Sequence, residues 1–525
     1  MRVLDLVIIA IFLVGMPLLG VLIGGRQKSA DDYFVGDSKI SWWVVCLSVV
    51  SAETSTLTVL SVPTVAYLAT PEAGGMTFLS LALGYVIGRI VVSFVLLPKY
   101  IAGDLVTAYA FLGKRFGNGI QSTASVTFLF TRLLADGLRL FATAIPIKVV
   151  LAELGMRDVS YWWIVAALGV AMVVYSYFGG VRAVVWVDAI QMLWYILGAA
   201  VVIIALANKL PDGWFGKAVD ADKFQIFDVS SPLLSNQYAL ITAVIGGAVL
   251  SMSSHGADQL IVQRLMATKD VKASQKALIS SGVVVFLQFA LFLFIGVMLW
   301  AFYSGQSPTK ALGLGNNDEL FPNFIIRELP VGWSGFVLAG ILAAALSSSL
   351  GALASSTVTD VIQKVKRRPM TDREVLRQGR VWTLVWAAIL VVFAGLFATF
   401  FRRGEPIVEQ GLSIAGFTSG ALLGAFLLGL IFRRSRQADA IVAFLVTVAV
   451  MAFVILGFKF TKATGAFIGV DFGKPTATAV SLAYPWYPVL GVLITLVVGG
   501  LLSLRHRTPA ETPPTEDDQE TAKAA

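Results

Sequence analysis

Glu53 sits in LSVVSAETSTLTVLSVP (residues 47–63), an otherwise apolar run that also carries Ser51, Thr54, Ser55, Thr56 and Thr58 and ends on Pro63. A carboxylate at bilayer depth costs on the order of 3 kcal/mol or more unless it faces protein or water. Glu53 and the hydroxyls on its face are therefore expected to point into a helix bundle. Pro63, together with the STLT run, is expected to open the helix. Freed carbonyls are tolerated in a membrane where they line a cavity, and broken helices are where transporters hold ions and solutes. The chemistry indicated is coordination and solute binding. The plainer reading is a kinked helix held by serine–backbone bonds and one interhelical carboxylate bond.

A second set lies in GILAAALSSSLGALASSTVTD (340–360). Small residues throughout allow close backbone approach, which is a sufficient structural reason for many of them. Yet Ala344, Ser347 and Ser348 stand at i, i+3 and i+4, on one helical face. A carbonyl and two hydroxyls on one face make half of a hard-ion site; such oxygens suit an alkali cation, and the clustered carboxylates of a calcium site are missing.

Three further stretches hold polar side chains in apolar surroundings. In YSYFGGVRAVVWVDAIQ (175–191), Gly179–Gly180 with Arg182 reads as a tight cytoplasmic turn. Asp188 is then either a snorkelling interface residue or an interior acid. In SMSSHGADQLIVQRLMATKD (251–270), Asp258 and Gln259 are candidates to line a pathway, Arg264 reads as a marker of the membrane face, and His255 as a packed residue without a ligand role. In TRLLADGLRLFATAIPIK (131–148), Arg132, Asp136 and Arg139 follow at i, i+4 and i+7. They read equally as an internal ion pair or as a substrate-binding arginine.

The elements that must position these groups are membrane helices. The 525-residue chain is 57% hydrophobic and 14% charged, against about 25% charged in an ordinary soluble domain, and apolar stretches recur along nearly its whole length. Thirteen candidate spans lie near 3–25, 41–69, 74–97, 120–151, 159–179, 184–207, 236–262, 277–302, 332–361, 381–400, 412–432, 438–460 and 484–503. With the N-terminus outside, well over half of the 40 lysines and arginines fall in inward segments, above all KVKRRPMTDREVLRQGR (364–380). That scatter explains the net charge of +8 better than a nucleic-acid partner does. The single cysteine, Cys46, leaves no intrachain disulfide, and the N-terminal segment reads as a retained helix rather than a signal peptide. The tail 506–525 reads as a disordered cytoplasmic segment.

Taken together and in order, SAETSTLT with Pro63, GYVIGRIVVSFVLLPKY (84–100), LVTAYAFLGKRFG (105–117), GGVRAVVWVDAIQ, ADQLIVQR (257–264) and the serine-rich helix ending at Asp360 resemble the sodium/solute symporter family, the sodium–glucose cotransporter-like group. The resemblance runs from about residue 5 to 505. It implies an all-α polytopic fold of the LeuT-like type: a leading helix and loop (1–40), a first inverted five-helix repeat (41–207), an external loop (208–235), a second repeat (236–432) and additional helices (433–505). It implies sodium held by the carbonyls of Leu47, Val50 and Ala344 and the hydroxyls of Ser347 and Ser348. It places Val49, Glu53 and Thr54 near the solute, with Asp258 and Gln259 along its route, and makes Asp188 a sodium-coupling residue. The chain departs from the pattern after Ser348, where it is about three residues short. Leu350 and Gly351 replace the hydroxyls of a second sodium site, and Val187 replaces the hydroxyl before Asp188.

The function expected is sodium-coupled symport of a small polar solute by alternating access. Glu53 favours a sugar-like solute slightly, whereas Arg139 would favour a carboxylate. Proton-coupled transport of a carboxylate or amino acid, or a receptor on a transporter scaffold, are the alternatives. The buried polar residues form no nucleophile–base set, so no enzyme is expected. A monomer in a bacterial plasma membrane, with the C-terminus cytoplasmic, completes the expectation.

Overall fold

The computed structural model describes residues 3–24, 40–54, 56–69, 74–101, 107–156, 158–344, 349–366, 370–400, 407–473, 476 and 478–506. Helix α1 (Val3–Gly24) leads. The pair α2 (Trp42–Glu53) and α3 (Thr56–Leu68) follows, then α4 (Phe78–Val95), α5 (Leu97–Ile101), α6 (Ala110–Phe116), α7 (Asn118–Glu153) and α8 (Tyr161–Ala207). The connection from α8 to the second broken pair holds α9 (Trp214–Asp220). Beyond it come α10 (Leu240–Gly256), α11 (Gln259–Met266), α12 (Val271–Phe302), α13 (Leu320–Glu328), α14 (Trp333–Ala344) and α15 (Leu350–Ser356), which runs through a π-helical turn, Thr357–Ile362, into α16 (Gln363–Lys366). The last helices are α17 (Asp372–Phe400), α18 (Ile407–Ile431), α19 (Gln437–Gly457) and α20 (Trp486–Ser503).

The protein is thus an all-α polytopic membrane protein. Among the described residues eight helices are long and apolar enough to cross a bilayer, or ten spans if each of two bent pairs counts as one. The thirteen expected are not all of that kind. The segment 120–151 is helical, as α7, but carries Arg132, Asp136 and Arg139 through its middle. The segment 159–179 is the first part of the 47-residue α8, with the apolar stretch Tyr161–Val173 among the described residues. Of the segment 332–361, α14 and α15 with its π-helical turn are described, and Ser347 and Ser348 lie outside the described residues.

Three local expectations are corrected. The first broken span does not open at Pro63, which sits inside α3; the break falls at Thr54, where α2 bends by 64° into α3. The backbone stays helical through Gly179–Gly180, so α8 is one element of 47 residues. The expected span 438–460 stops at Gly457, and FKFT continues it as strand β1 (Phe458–Thr461), which pairs antiparallel with β2 (Phe467–Val470) on one side and β3 (Ala479–Ser481) on the other.

Two contacts set the frame for the site. Helices α4 and α10 pack backbone to backbone: a Cβ on Gly84 would stand 2.4 Å from the Val244 carbonyl oxygen, and one on Gly88 2.3 Å from that of Ala248. This small-residue spacing at i and i+4 brings the two backbones together, and Ser251 Oγ of α10 donates to Tyr85 O (3.0 Å). At the other end, the buried Asp5 of α1 accepts from Gly332 N (2.7 Å), Ser334 Oγ (2.7 Å) and Gly335 N (3.0 Å), capping the start of α14.

Candidate functional site

The first break is made by hydroxyls that take tertiary partners. Thr54 leaves the helix with φ −77° and ψ 84°, its N–H still donating to Val50 O (2.7 Å). Its hydroxyl donates to Gln288 Oε1 of α12 (2.8 Å), and Thr56 donates to Ile341 O of α14 (3.2 Å). These bonds compensate for the helical hydrogen bonds lost at the bend. The C-terminal turn of α2 carries a partial negative charge, and a cation sits there: Arg139 Nη2 of α7 donates to Ala52 O (3.1 Å).

Glu53 closes α2. Its carboxylate is paired with the guanidinium of Arg89, which is fully buried on α4 and also donates to Ser281 Oγ (2.7 Å). His255 Nε2 of α10 lies 3.7 Å from Glu53 Oε2. Arg89 appeared in the sequence only inside a motif, with nothing to say which acid it meets.

The second break joins α10 to α11 with a bend of 61°. Asp258 caps α11, accepting from Leu260 N (2.8 Å), while its other oxygen faces Arg132 Nη1 (3.3 Å). Arg132 also pairs with Asp136 (3.1 Å), and Asp136 accepts from Ser349. Arg139 stands 4.0 Å from the same Asp136. The arginine–aspartate trio read from the sequence is therefore a real cluster, joined by Asp258 from another helix.

Asp188 proves to be the interior acid of the two readings. It is fully buried and binds Arg264 Nη2 at 2.8 Å, with Ser48 Oγ donating at 3.1 Å. Arg264 does not mark the membrane face; it is buried, and also donates to Leu260 O (2.7 Å). This Ser48–Asp188–Arg264 group ties α2 and α11, one helix from each broken span, to α8.

Between the two breaks lies a cavity of about 150 Å³. Ala52, Glu53 and Thr58 line it from the first broken span, Ser254, His255 and Asp258 from the second, Arg132 and Arg139 from α7, and Phe78, Tyr85 and Phe289 supply ring surface. A smaller cavity of about 90 Å³ shares Arg132, Ser254 and Asp258 with it and continues between α7, α10 and α18. Of the solute-contact expectations, Glu53, Arg139 and Asp258 reach the cavity. Val49, Thr54 and Gln259 do not line it: Val49 is packed in the core, Thr54 turns to Gln288, and Gln259 Oε1 accepts from Ala108 N (2.7 Å). His255, expected as a packed residue without a ligand role, lines the cavity beside Glu53, a neighbour that its own sequence surroundings do not reveal.

Of the expected ion ligands, Leu47 and Val50 lie in the last two turns of α2, immediately before the break, and Ala344 is the last residue of α14. The Val50 carbonyl accepts one hydrogen bond and keeps a second lone pair.

Two spans broken beside one another around a charged, partly aromatic cavity define a secondary transporter. A family comparison agrees: residues 33–447 match the sodium:solute symporter family, and the chain belongs to that family. It is 27% identical to the sodium/sialic acid symporter of Aliivibrio fischeri, over 93% of this chain and 91% of that one. It is 26% identical to the sodium/glucose cotransporter of Vibrio parahaemolyticus (83% and 82%) and 25% identical to the human sodium/iodide cotransporter (86% and 70%). Among solved structures, a Na+-coupled sialic acid symporter in a substrate-bound outward-open state superposes with a TM-score of 0.80 at 23% identity, over 98% of this chain and 100% of that one. The chain is a transporter that moves a small polar solute with sodium by alternating access, and not an enzyme.

Proposed function

We propose that the solute is a small carboxylate, taken up with sodium through the cavity between the two breaks. One observation carries this reading. Among the described residues Arg139 lines the cavity with a single close oxygen partner, Ala52 O, and its nearest carboxylate is 4.0 Å away, whereas Glu53, the acid that favoured a sugar, is already paired with Arg89. An arginine in that state offers donors in a fixed fork that matches a carboxylate. The relatives include symporters named for sialic acid and for monocarboxylate, which is compatible with an anionic solute here.

Sodium in this reading is cargo, held by the Leu47, Val50 and Ala344 carbonyls and the Ser347 and Ser348 hydroxyls, with Asp188 coupling its binding to the packing of α8. Proton coupling is less well supported, since both carboxylates it would use are held by arginines. The two broken spans stand first in 41–207 and 236–432, which supports the inverted-repeat organisation within about thirteen spans. The N-terminus lies outside, the C-terminus in the cytoplasm of a plasma membrane, and the monomer is the working unit.

The test is uptake into proteoliposomes of carboxylates, neutral sugars and amino acids under an inward sodium gradient, then with potassium in place of sodium. Carboxylate accumulation that needs sodium and is lost in Ser348→Ala is the expected result. Accumulation driven equally by a proton gradient alone, or confined to neutral sugars, would sink it.

A further inference from the structure

His255 is 2% exposed, lines the cavity, and its Nε2 has no hydrogen-bond partner among the described residues. Its other nitrogen is fully engaged. Nδ1 lies 3.1 Å from Ser251 O, four residues back on α10, and 2.9 Å from Ser254 Oγ. A backbone carbonyl only accepts, so Nδ1 carries the proton. The Ser254 hydroxyl donates to Ser251 O (3.4 Å), which leaves its lone pairs for the same Nδ1–H. In the neutral ring this assignment makes Nε2 an acceptor.

Nε2 faces Glu53 Oε2 at 3.7 Å, too far for a hydrogen bond between them. Nε2 is thus a buried acceptor with no partner among the described residues, which is costly, while the part-buried Oε2 accepts from Arg89 and keeps a further lone pair toward the same point of the cavity wall. A donor entering from the cavity would satisfy Nε2 and reach that lone pair. Arg89 does not serve Nε2, because its two terminal nitrogens are committed to Glu53 and Ser281. The charge of Glu53 is already balanced by Arg89, so the point favours a neutral O–H over an ammonium.

From this geometry we infer that His255 Nε2 and Glu53 Oε2 form a hydroxyl-recognition point, which selects hydroxylated carboxylates over their deoxy analogues. The inference rests on the carboxylate reading above and deepens it. Arg139 bonds to Ala52 O, the residue next to Glu53, so carboxylate and hydroxyl recognition lie side by side at the end of α2. A hydroxyl close to the carboxylate, as in 2-hydroxy acids and sugar acids, suits that spacing. A cavity of about 150 Å³ matches one that holds a single six-membered ring.

The experiment is sodium-driven uptake by the full chain in proteoliposomes, with paired probes: lactate against propionate, glycerate against lactate, and gluconate against 2-deoxygluconate. The wild type is expected to prefer the more hydroxylated member of at least one pair by about tenfold. His255→Phe should bring that ratio close to unity, and His255→Gln, which can present an amide oxygen, should keep part of it. A ratio near unity in the wild type, or one unchanged in His255→Phe, would overturn the hydroxyl point while leaving carboxylate transport standing. Preference for alanine over lactate would overturn it too, in favour of an ammonium. If none of the carboxylates accumulates, the carboxylate reading fails and this inference with it. Should the Phe variant not fold, the wild-type ratios and the Gln variant still decide the matter.

Discussion

The two broken spans bend by almost the same angle, 64° at Thr54 and 61° at Ala257–Asp258, yet they differ in where their polar groups go. At the first break, Glu53 and Ala52 face the cavity and a cation from another helix, Arg139, meets the helix end. At the second, the freed groups are largely satisfied within the fold: Tyr100 donates to Gly256 O, Asp258 caps α11, and Arg264 is locked onto Asp188. The same bend therefore serves two ends. The first presents backbone and charge to the cavity, while the second is a joint stitched largely within the fold that lines the cavity with Ser254, His255 and Asp258.

The strongest way to break this contrast is to unstitch the second joint. Arg264→Ala leaves Asp188 buried without its counter-charge, and should cost about 3–5 kcal/mol, read as a large fall in melting temperature in detergent. The double variant with Asp188→Ala should recover much of that loss; a double variant no better than the single would show that the pair is not the source.

Arg139→Gln tests the first break. It should leave the melting temperature nearly unchanged but cut carboxylate uptake by at least about tenfold, since a charged hydrogen bond is worth about 1.5–3 kcal/mol. Equal uptake by the variant would return Arg139 to a purely structural role. Asp258→Ala sharpens the comparison further: losing the α11 cap should cost about 1 kcal/mol of stability, while Asp258→Asn should keep most of the cap and lose only the charge facing Arg132. The smallest effect concerns the C-terminal end of the first broken span. Lys223, on the connection after α9, donates to Ala66 O (3.1 Å), Tyr67 O (3.0 Å) and Ala69 O (2.6 Å) at the end of α3, and burial pushes its ammonium down to about 8 from 10.5. Between those two values the unfolded chain holds a proton that the folded one has released, so stability should rise with pH across that window. Across that window wild-type stability should rise relative to Lys223→Met, read from unfolding midpoints at several pH values; a difference between the two that does not change with pH would refute the assignment.

Much of this was legible in the residues because hydrocarbon penalises polarity without regard to detail. An acid or arginine within an apolar run must face protein, so Glu53, Arg139, Asp188 and Asp258 announced themselves singly, and apolar lengths marked most of the helices. Partners were another matter. Glu53 and Arg89 are 36 residues apart, Ser48 and Asp188 are 140, and no periodicity links them. Pro63 misled for a related reason: a proline costs one helical hydrogen bond anywhere, but whether the helix opens there depends on what else packs nearby.

The sequence by itself determined that this chain spans a membrane many times, that it carries charge into the interior, and which segments hold the polar groups, because those follow from transfer free energies that act residue by residue. Only the tertiary structure decided where the first helix breaks, which arginine each acid meets, and that the Nε2 of His255 stands opposite Glu53. Those are matters of close packing between helices distant in sequence, such as the approach of α4 and α10 at Gly84 and Gly88, and a few tenths of an ångström there decide which side chains meet.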